Sequence, residues 1–327
     1  MSLSTSLSLY CANHPAMATE FSLYVYADSR EEVDAIVKPV FAEIDRVEHL
    51  LSNYRESSEL SRINREAANA EVTTDPETFR FLQTCFEWSA RSAGAFDITV
   101  GKLMKTWGFF NAKGAVPSEG ELAKARTQLG WRNVQLDSER RTVRFRSPGV
   151  ELDPGGIGKG YAIDRAVKIL CARGVSPALL SAGSSTIYAL GAPAGEPGWK
   201  IRVPAPGQKG RIASTVVLRD ASLSTANYSE KYFIHEGHLY GAIMDPRTLR
   251  PVEGVLQVTT ISPSATDSDA LSNALFILGA EDRAPLLDQR PGESALVILE
   301  DQAAGLYKAT RWPGEVTNSY CAEIANP

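Results

Sequence analysis

The stretch VELDPGGIGKGYAID, residues 150–164, is the point from which the chain reads outward. Residues 150–153 have strand character and stop at Asp153. Glycines at 155, 156, 158 and 160 follow, and helical spacing runs from Lys159 to about 173. Glycine lets a backbone come close to a ligand. The free N–H groups of a helix start, with Lys159 beside them, suit a phosphate. Two familiar phosphate motifs do not fit. The P-loop requires Ser or Thr after its lysine, and here Gly160 follows Lys159; Gly156, Gly158 and Gly160 have the wrong spacing for a dinucleotide fingerprint. The alternative is a tight strand-to-helix turn without a ligand.

On either side, strand and helix patterns interleave. Residues 18–27 alternate as a strand, and Val33, Ile36, Val37, Val40, Ile44, Val47 and Leu51 recur at helical spacing. Pro39 lies inside that second run and should kink or split it. A short helix capped by Ser57 or Ser58 follows, and Asp75-Pro76-Glu77 starts another that ends near Gly94. Residues 118–129 read as helix, and short strands flank the polar turn at 137–141. Beyond the glycine loop, strands are predicted at 177–182, 186–190, 199–203, 213–218, near 230–244 and at 255–262. A helix at 267–278 and a hairpin of 295–300 with 305–310 close the chain. Most links between strands are short, which favours antiparallel or mixed pairing over a doubly wound parallel sheet. The expectation is an α+β fold: one domain over residues 1–327, a mixed or antiparallel sheet flanked by helices.

Composition excludes several classes. Hydrophobic residues make up 43% and charged residues 22%, as in ordinary globular proteins, and the net charge of −5 argues against a general nucleic-acid binder. No apolar run approaches the roughly 18 residues of a membrane span. The N-terminus MSLSTSLSLYCAN lacks a basic start and has serine throughout, so it reads as a frayed or strand-forming start, with a cytoplasmic location expected. Cys11, Cys85, Cys171 and Cys321 form no C-x-x-C pair, which argues against a zinc site or a disulfide framework. Cys85 and Cys171 lie on apolar faces of predicted helices and are expected to be buried, reduced thiols.

In the helix at 267–278, Asp267, Asp269 and Asn273 group near the start, and Asp269 and Asn273 share one face. Oxygen donors of this kind suit Mg²⁺ or Ca²⁺. Aspartates at a helix start are also favoured by capping and by the helix dipole, without any metal.

Six segments in order extend the picture: HPAMATEF (14–21), LSNYRESSELSRIN (51–64), GAFDITVGKLMKTWGF (94–109), DPGGIGKGYAID (153–164), IMDPRTLRPV (243–252) and TDSDALSNALFILG (266–279). Together they resemble the FAD:protein FMN transferase family, known as ApbE. The resemblance implies an α+β domain that binds FAD and Mg²⁺, moves FMN from FAD to a Thr or Ser hydroxyl of a target protein, and releases AMP. Carried over residue by residue, it implies that Met17, Tyr54, Ala95, Phe96, Asp97, Asp153, Lys159 and Ile243 line the FAD site. It implies metal ligation by the Gly156 carbonyl and the Asp269 side chain, with Asn273 at the family's threonine ligand position. Tyr54 offers an aromatic face to a flavin or adenine ring. Trp107 reads equally as a core residue or a flavin contact.

The departures bear on mechanism. Where the family carries a histidine before its I-I-D-P motif, this chain has Ala242, and a methyl group takes no proton. His238 points to the same strand face but lies about 13 Å away along the strand. Ala18 and Leu249 stand where the family has glycine, Pro154 where it has leucine, and Ser184-Ser185 where it has Gly-Asp. Beside transfer to protein, a metal-dependent FAD pyrophosphatase and a non-catalytic FAD-binding protein are the alternative readings.

Overall fold

The computed structural model describes residues 7–110, 113–278, 280–300 and 306–316. Residues 1–6 of the predicted start and Cys321 lie outside the described residues. The fold is α+β, as the patterning predicts. One eight-stranded sheet carries it, with strands Ser8–Ala16, Thr19–Ala27, Ala178–Ala182, Thr186–Leu190, Ala221–Asn227, Val255–Ser262, Ser294–Leu299 and Leu306–Thr310. They lie side by side in chain order, and every neighbouring pair is antiparallel.

The helices are α1 (Arg30–Leu51), α2 (Glu59–Glu66), α3 (Pro76–Arg91), α4 (Gly101–Thr106), α5 (Glu119–Thr127), α6 (Gly158–Ala172), α7 (Ala265–Ile277) and α8 (Ala280–Asp288). Strand residues alternate between faces. Leu23, Val25, Leu180 and Val258 meet Ile36, Val40 and Ile44 of α1, Ile163 and Leu170 of α6, and Leu271 and Leu275 of α7 in the main core. Tyr24, Tyr26, Ile187 and Leu223 turn to the other face. There they meet Trp199, Ile201, Val216 and Leu218 of a hairpin, Trp199–Pro204 with Ile212–Leu218. Each fully buried aliphatic side chain contributes roughly 1.5–3 kcal/mol, so both faces of the sheet are anchored.

Four local expectations are corrected. Pro39 does not split α1, which runs unbroken for 22 residues. A proline leaves the carbonyl four residues earlier without its helical partner, and here the Arg173 guanidinium donates to the Ala35 carbonyl oxygen at 3.5 Å. Residues 150–153 form no strand, only a single parallel bridge between Val100 and Glu151. The strand Ala221–Asn227 is missing from the sequence-based expectation, although it is central to the sheet. Its Ser222 and Ser224 are buried polar residues, satisfied by the Ser268 hydroxyl of α7 at 2.8 and 2.7 Å, so the hydrophobic alternation that marks a strand is missing. Cys85 is buried as expected, but Cys171 is exposed on the outer side of α6.

Candidate active site

A cavity of about 690 Å³ opens where the glycine loop, the start of α6, α7 and the turn between the first two strands meet. Its volume is typical of small-molecule sites. All the residues expected at the FAD site, Met17, Tyr54, Ala95, Phe96, Asp97, Asp153, Lys159 and Ile243, line it, together with Gly156, Asp269 and Asn273.

Met17 and Ala18 form the hairpin turn at one edge, both with positive φ, 51° and 58°. The Met17 amide donates to Glu48 Oε1 at 2.8 Å, and Glu48 also receives Arg55 at 2.6 Å, so α1 holds the turn in place. Tyr54 stands at the mouth, 56% exposed, stacked on Phe110 with centroids 4.4 Å apart. One face of its ring is thus supported. Trp107 is a core residue: it is buried, and its indole donates to the Leu249 carbonyl at 3.0 Å.

Asp97 behaves differently from a ligand contact. Its Oδ1 accepts from the Thr99 amide and hydroxyl and its Oδ2 from the Trp131 amide, so the carboxylate braces its own loop. Burial pushes its pKa up, against those hydrogen bonds. Asp153 accepts from the Gly155 amide at 2.9 Å. Burial raises it as well, opposed by Gly155, Asn53 and Lys231. The Asn53 amide is near enough to favour ionised Asp153, yet its solvent-shielded Nδ2 meets no acceptor at hydrogen-bond geometry among the described residues.

The first turn of α6 has no side-chain cap, and helix N-termini of this kind attract anions. Lys159 lies in that turn, close enough to Asp269 to favour its ionised form. Asp269 is buried, which raises its pKa despite Lys159 and the Gly160 amide, which donates to its Oδ2 at 3.0 Å. Asn273 Nδ2 sits 3.2 Å from the Gly156 carbonyl oxygen and also donates to the Asp269 carbonyl at 3.0 Å.

The Gly156 carbonyl, the Asp269 carboxylate and the Asn273 side-chain amide carry hard oxygen atoms and line the same cavity. Their chemistry fits Mg²⁺. Oxygen atoms of this kind are those Mg²⁺ takes, and Gly156, Asp269 and Asn273 are the residues that would hold it; in the structure the Asn273 amide nitrogen donates to the Gly156 and Asp269 carbonyls. Among the described residues no three or more His, Cys, Asp or Glu are grouped to hold a metal ion.

Among the described residues no histidine lines the cavity. His14 pairs with Asp45 and His238 with Glu253, while Ala242 lies in the wall. Residues that sequence reasoning misses are Glu48, Asn53, Arg55, Glu230 and Lys231. Asn53 adjoins Tyr54 within a recognised segment, and that proximity is a usable signal. Glu230 and Lys231 carry no local signal and enter through the turn that follows the unexpected strand.

The family model described as the ApbE family matches residues 17–298. An FAD:protein FMN transferase of Treponema pallidum (strain Nichols) is 32% identical over 286 residues, which span 83% of this chain and 79% of that protein. The crystal structure of the ApbE protein from Thermotoga maritima superimposes with a TM-score of 0.84 at 30% identity, covering 93% of this chain and 97% of that one. The apo form of the Pseudomonas stutzeri flavinyl transferase ApbE gives 0.82 at 27% identity, covering 95% and 97%. A matching family model over most of the chain, together with a relative at 32% identity and a shared fold, makes this chain a member of the ApbE family.

Proposed function

We propose that this protein is an Mg²⁺-dependent enzyme that transfers FMN from FAD to a Thr or Ser hydroxyl of a target protein and releases AMP. The observation that carries the reading is the juxtaposition, in one cavity, of the uncapped α6 start with Lys159 and the donor set of Gly156, Asp269 and Asn273. A pyrophosphate seated there would meet Lys159 at the helix start, where the Gly158 and Gly160 amides already donate to the Pro154 carbonyl and to Asp269. Mg²⁺, if held by Gly156, Asp269 and Asn273, would supply neutralisation of charge on the phosphoryl oxygens. Lys159 and the helix start stabilise charge that grows on the same oxygens as AMP leaves. Tyr54, supported by Phe110, offers a flat aromatic face to a ring of the dinucleotide.

One observation favours a second reading. With Ala242 in the wall and no histidine among the described residues of the cavity, hydrolysis of FAD to FMN and AMP asks less of the protein than transfer does. Mass spectrometry of the purified protein with FAD, Mg²⁺ and a Thr-bearing acceptor separates them. An acceptor heavier by one FMN, with AMP free, is expected; free FMN beside an unmodified acceptor would support hydrolysis, and intact FAD would support a binding protein.

A further inference from the structure

Transfer to a hydroxyl, the reading of this site on which the proposal rests, needs a group that takes the hydroxyl proton. The carboxylates of the cavity differ in what they already hold. Glu48 accepts from the Met17 amide and from Arg55. Asp97 is occupied by Thr99 and Trp131. Asp153 accepts from Gly155, and Asp269 accepts from Gly160 while belonging to the donor set for the cation. Glu230 lines the same cavity, is exposed, and its carboxylate has no hydrogen bond or ion pair among the described residues.

Its placement is defined by its neighbours. Glu230 sits in the turn between the central strand Ala221–Asn227 and the hairpin of Tyr232–His235 with His238–Gly241, and its amide donates to the Asn227 carbonyl at 3.4 Å. The carbonyl of the next residue, Lys231, accepts from the Ala242 amide at 2.9 Å. The turn is therefore fastened beside the short side chain of Ala242. Glu230 and Asp269 line the same cavity.

We propose that Glu230 is the proton acceptor for the incoming hydroxyl. The acceptor oxygen bonds to the FMN phosphorus, the bond from that phosphorus to the bridging oxygen breaks, and AMP leaves with the electron pair. The hydroxyl proton passes to a Glu230 carboxylate oxygen and from there to solvent, which the exposure of the side chain permits. FAD and the hydroxyl thus give the FMN ester, AMP and one proton.

The test compares wild type, Glu230→Gln and the double variant Glu230→Gln with Ala242→His. Single-turnover transfer from FAD to a Thr-bearing peptide is followed with Mg²⁺, and FAD affinity is measured by flavin fluorescence. Glu230→Gln is expected to slow transfer by about 10²–10⁴-fold, the usual range for a lost acid–base group, with FAD affinity unchanged. The double variant is expected to recover transfer at least in part, since an imidazole then occupies the adjoining wall. Transfer by Glu230→Gln at the wild-type rate overturns the proposal, as does a loss matched by an equal loss of FAD affinity. An acceptor left unmodified by wild type is a separate result: it overturns the transfer reading, and the role of Glu230 falls with it.

Discussion

The Gly160 amide donates to the Asp269 carboxylate at 3.0 Å across the contact between α6 and α7. The two helices come this close because residue 160 has no side chain. A Cβ there would run into the Ala265 carbonyl and stand 2.9 Å from Asp269 Cβ. Gly160→Ala should therefore destabilise the fold by about 1–3 kcal/mol, the usual cost of overpacking, and weaken Mg²⁺ binding with it. Urea unfolding and calorimetric titration with Mg²⁺ measure the two effects, and an unchanged midpoint would contradict the close approach.

Asp164 holds the same contact from the other side. Its carboxylate accepts from the Ala265 and Thr266 amides at 2.8 and 2.9 Å and from the Ser264 and Thr266 hydroxyls at 2.8 and 2.6 Å. An anion at a helix start is favoured by the dipole, and hydrogen bonds to charged groups contribute about 1.5–3 kcal/mol each before desolvation is counted. Asp164→Ala should cost roughly 2–3 kcal/mol. A loss below about half a kcal/mol by chemical denaturation, the scale of an ordinary surface substitution, would show that α7 is held elsewhere.

Ala18 and Leu249 both keep a left-handed backbone, with φ of 58° and 65°. Residues other than glycine occupy that region at a cost of about 1–2 kcal/mol. Ala18 is exposed, so Ala18→Gly should stabilise the protein by about 0.5–1 kcal/mol. Leu249 is buried against Trp107, Met244 and Leu122. There the loss of a core side chain, about 2–5 kcal/mol, outweighs the relief, and Leu249→Gly should destabilise. The opposite signs of the two glycine variants in thermal denaturation are the check.

Burial lifts the Asp97 pKa above its ordinary 3.8, against the Thr99 and Trp131 hydrogen bonds. The folded state thus binds this proton more tightly than the unfolded state. The contribution is fully present below the unfolded value of 3.8 and is lost as pH rises through the raised folded value. Wild type should lose stability relative to Asp97→Asn across that window. Urea unfolding of both proteins at several pH values tests this; a difference that stays flat with pH would reject it.

The ring stack of Tyr54 on Phe110 leaves Tyr54 with one supported face. Phe110→Ala should free the Tyr54 ring and weaken FAD binding by a few-fold to about tenfold, the range of an aromatic pair, while leaving stability nearly unchanged. Fluorescence titration with FAD reads the effect. Equal affinity in the two proteins would mean that Tyr54 does not contact the dinucleotide.

Much of this molecule is legible locally. Ser58 and Asp75 cap their helices by accepting backbone N–H groups two or three residues on, so the sequence around them contains the whole interaction. The glycine loop before α6 and the pairing of Asp269 with Asn273 on one helical face are likewise matters of spacing. The continuity of α1 through Pro39 is not legible, because the group that satisfies the Ala35 carbonyl is Arg173, far along the chain. Nor is the strand Ala221–Asn227, whose buried serines depend on a hydroxyl of α7.

By itself, the sequence determined where most helices begin and which of their faces are apolar, since each depends on contacts within a few residues. Only the tertiary structure decided that Asp97 turns inward to brace its loop, that Cys171 faces outward, and that Glu230 enters the cavity. Those outcomes depend on which distant segment arrives at each side chain, and the order of strands in the sheet sets that arrival.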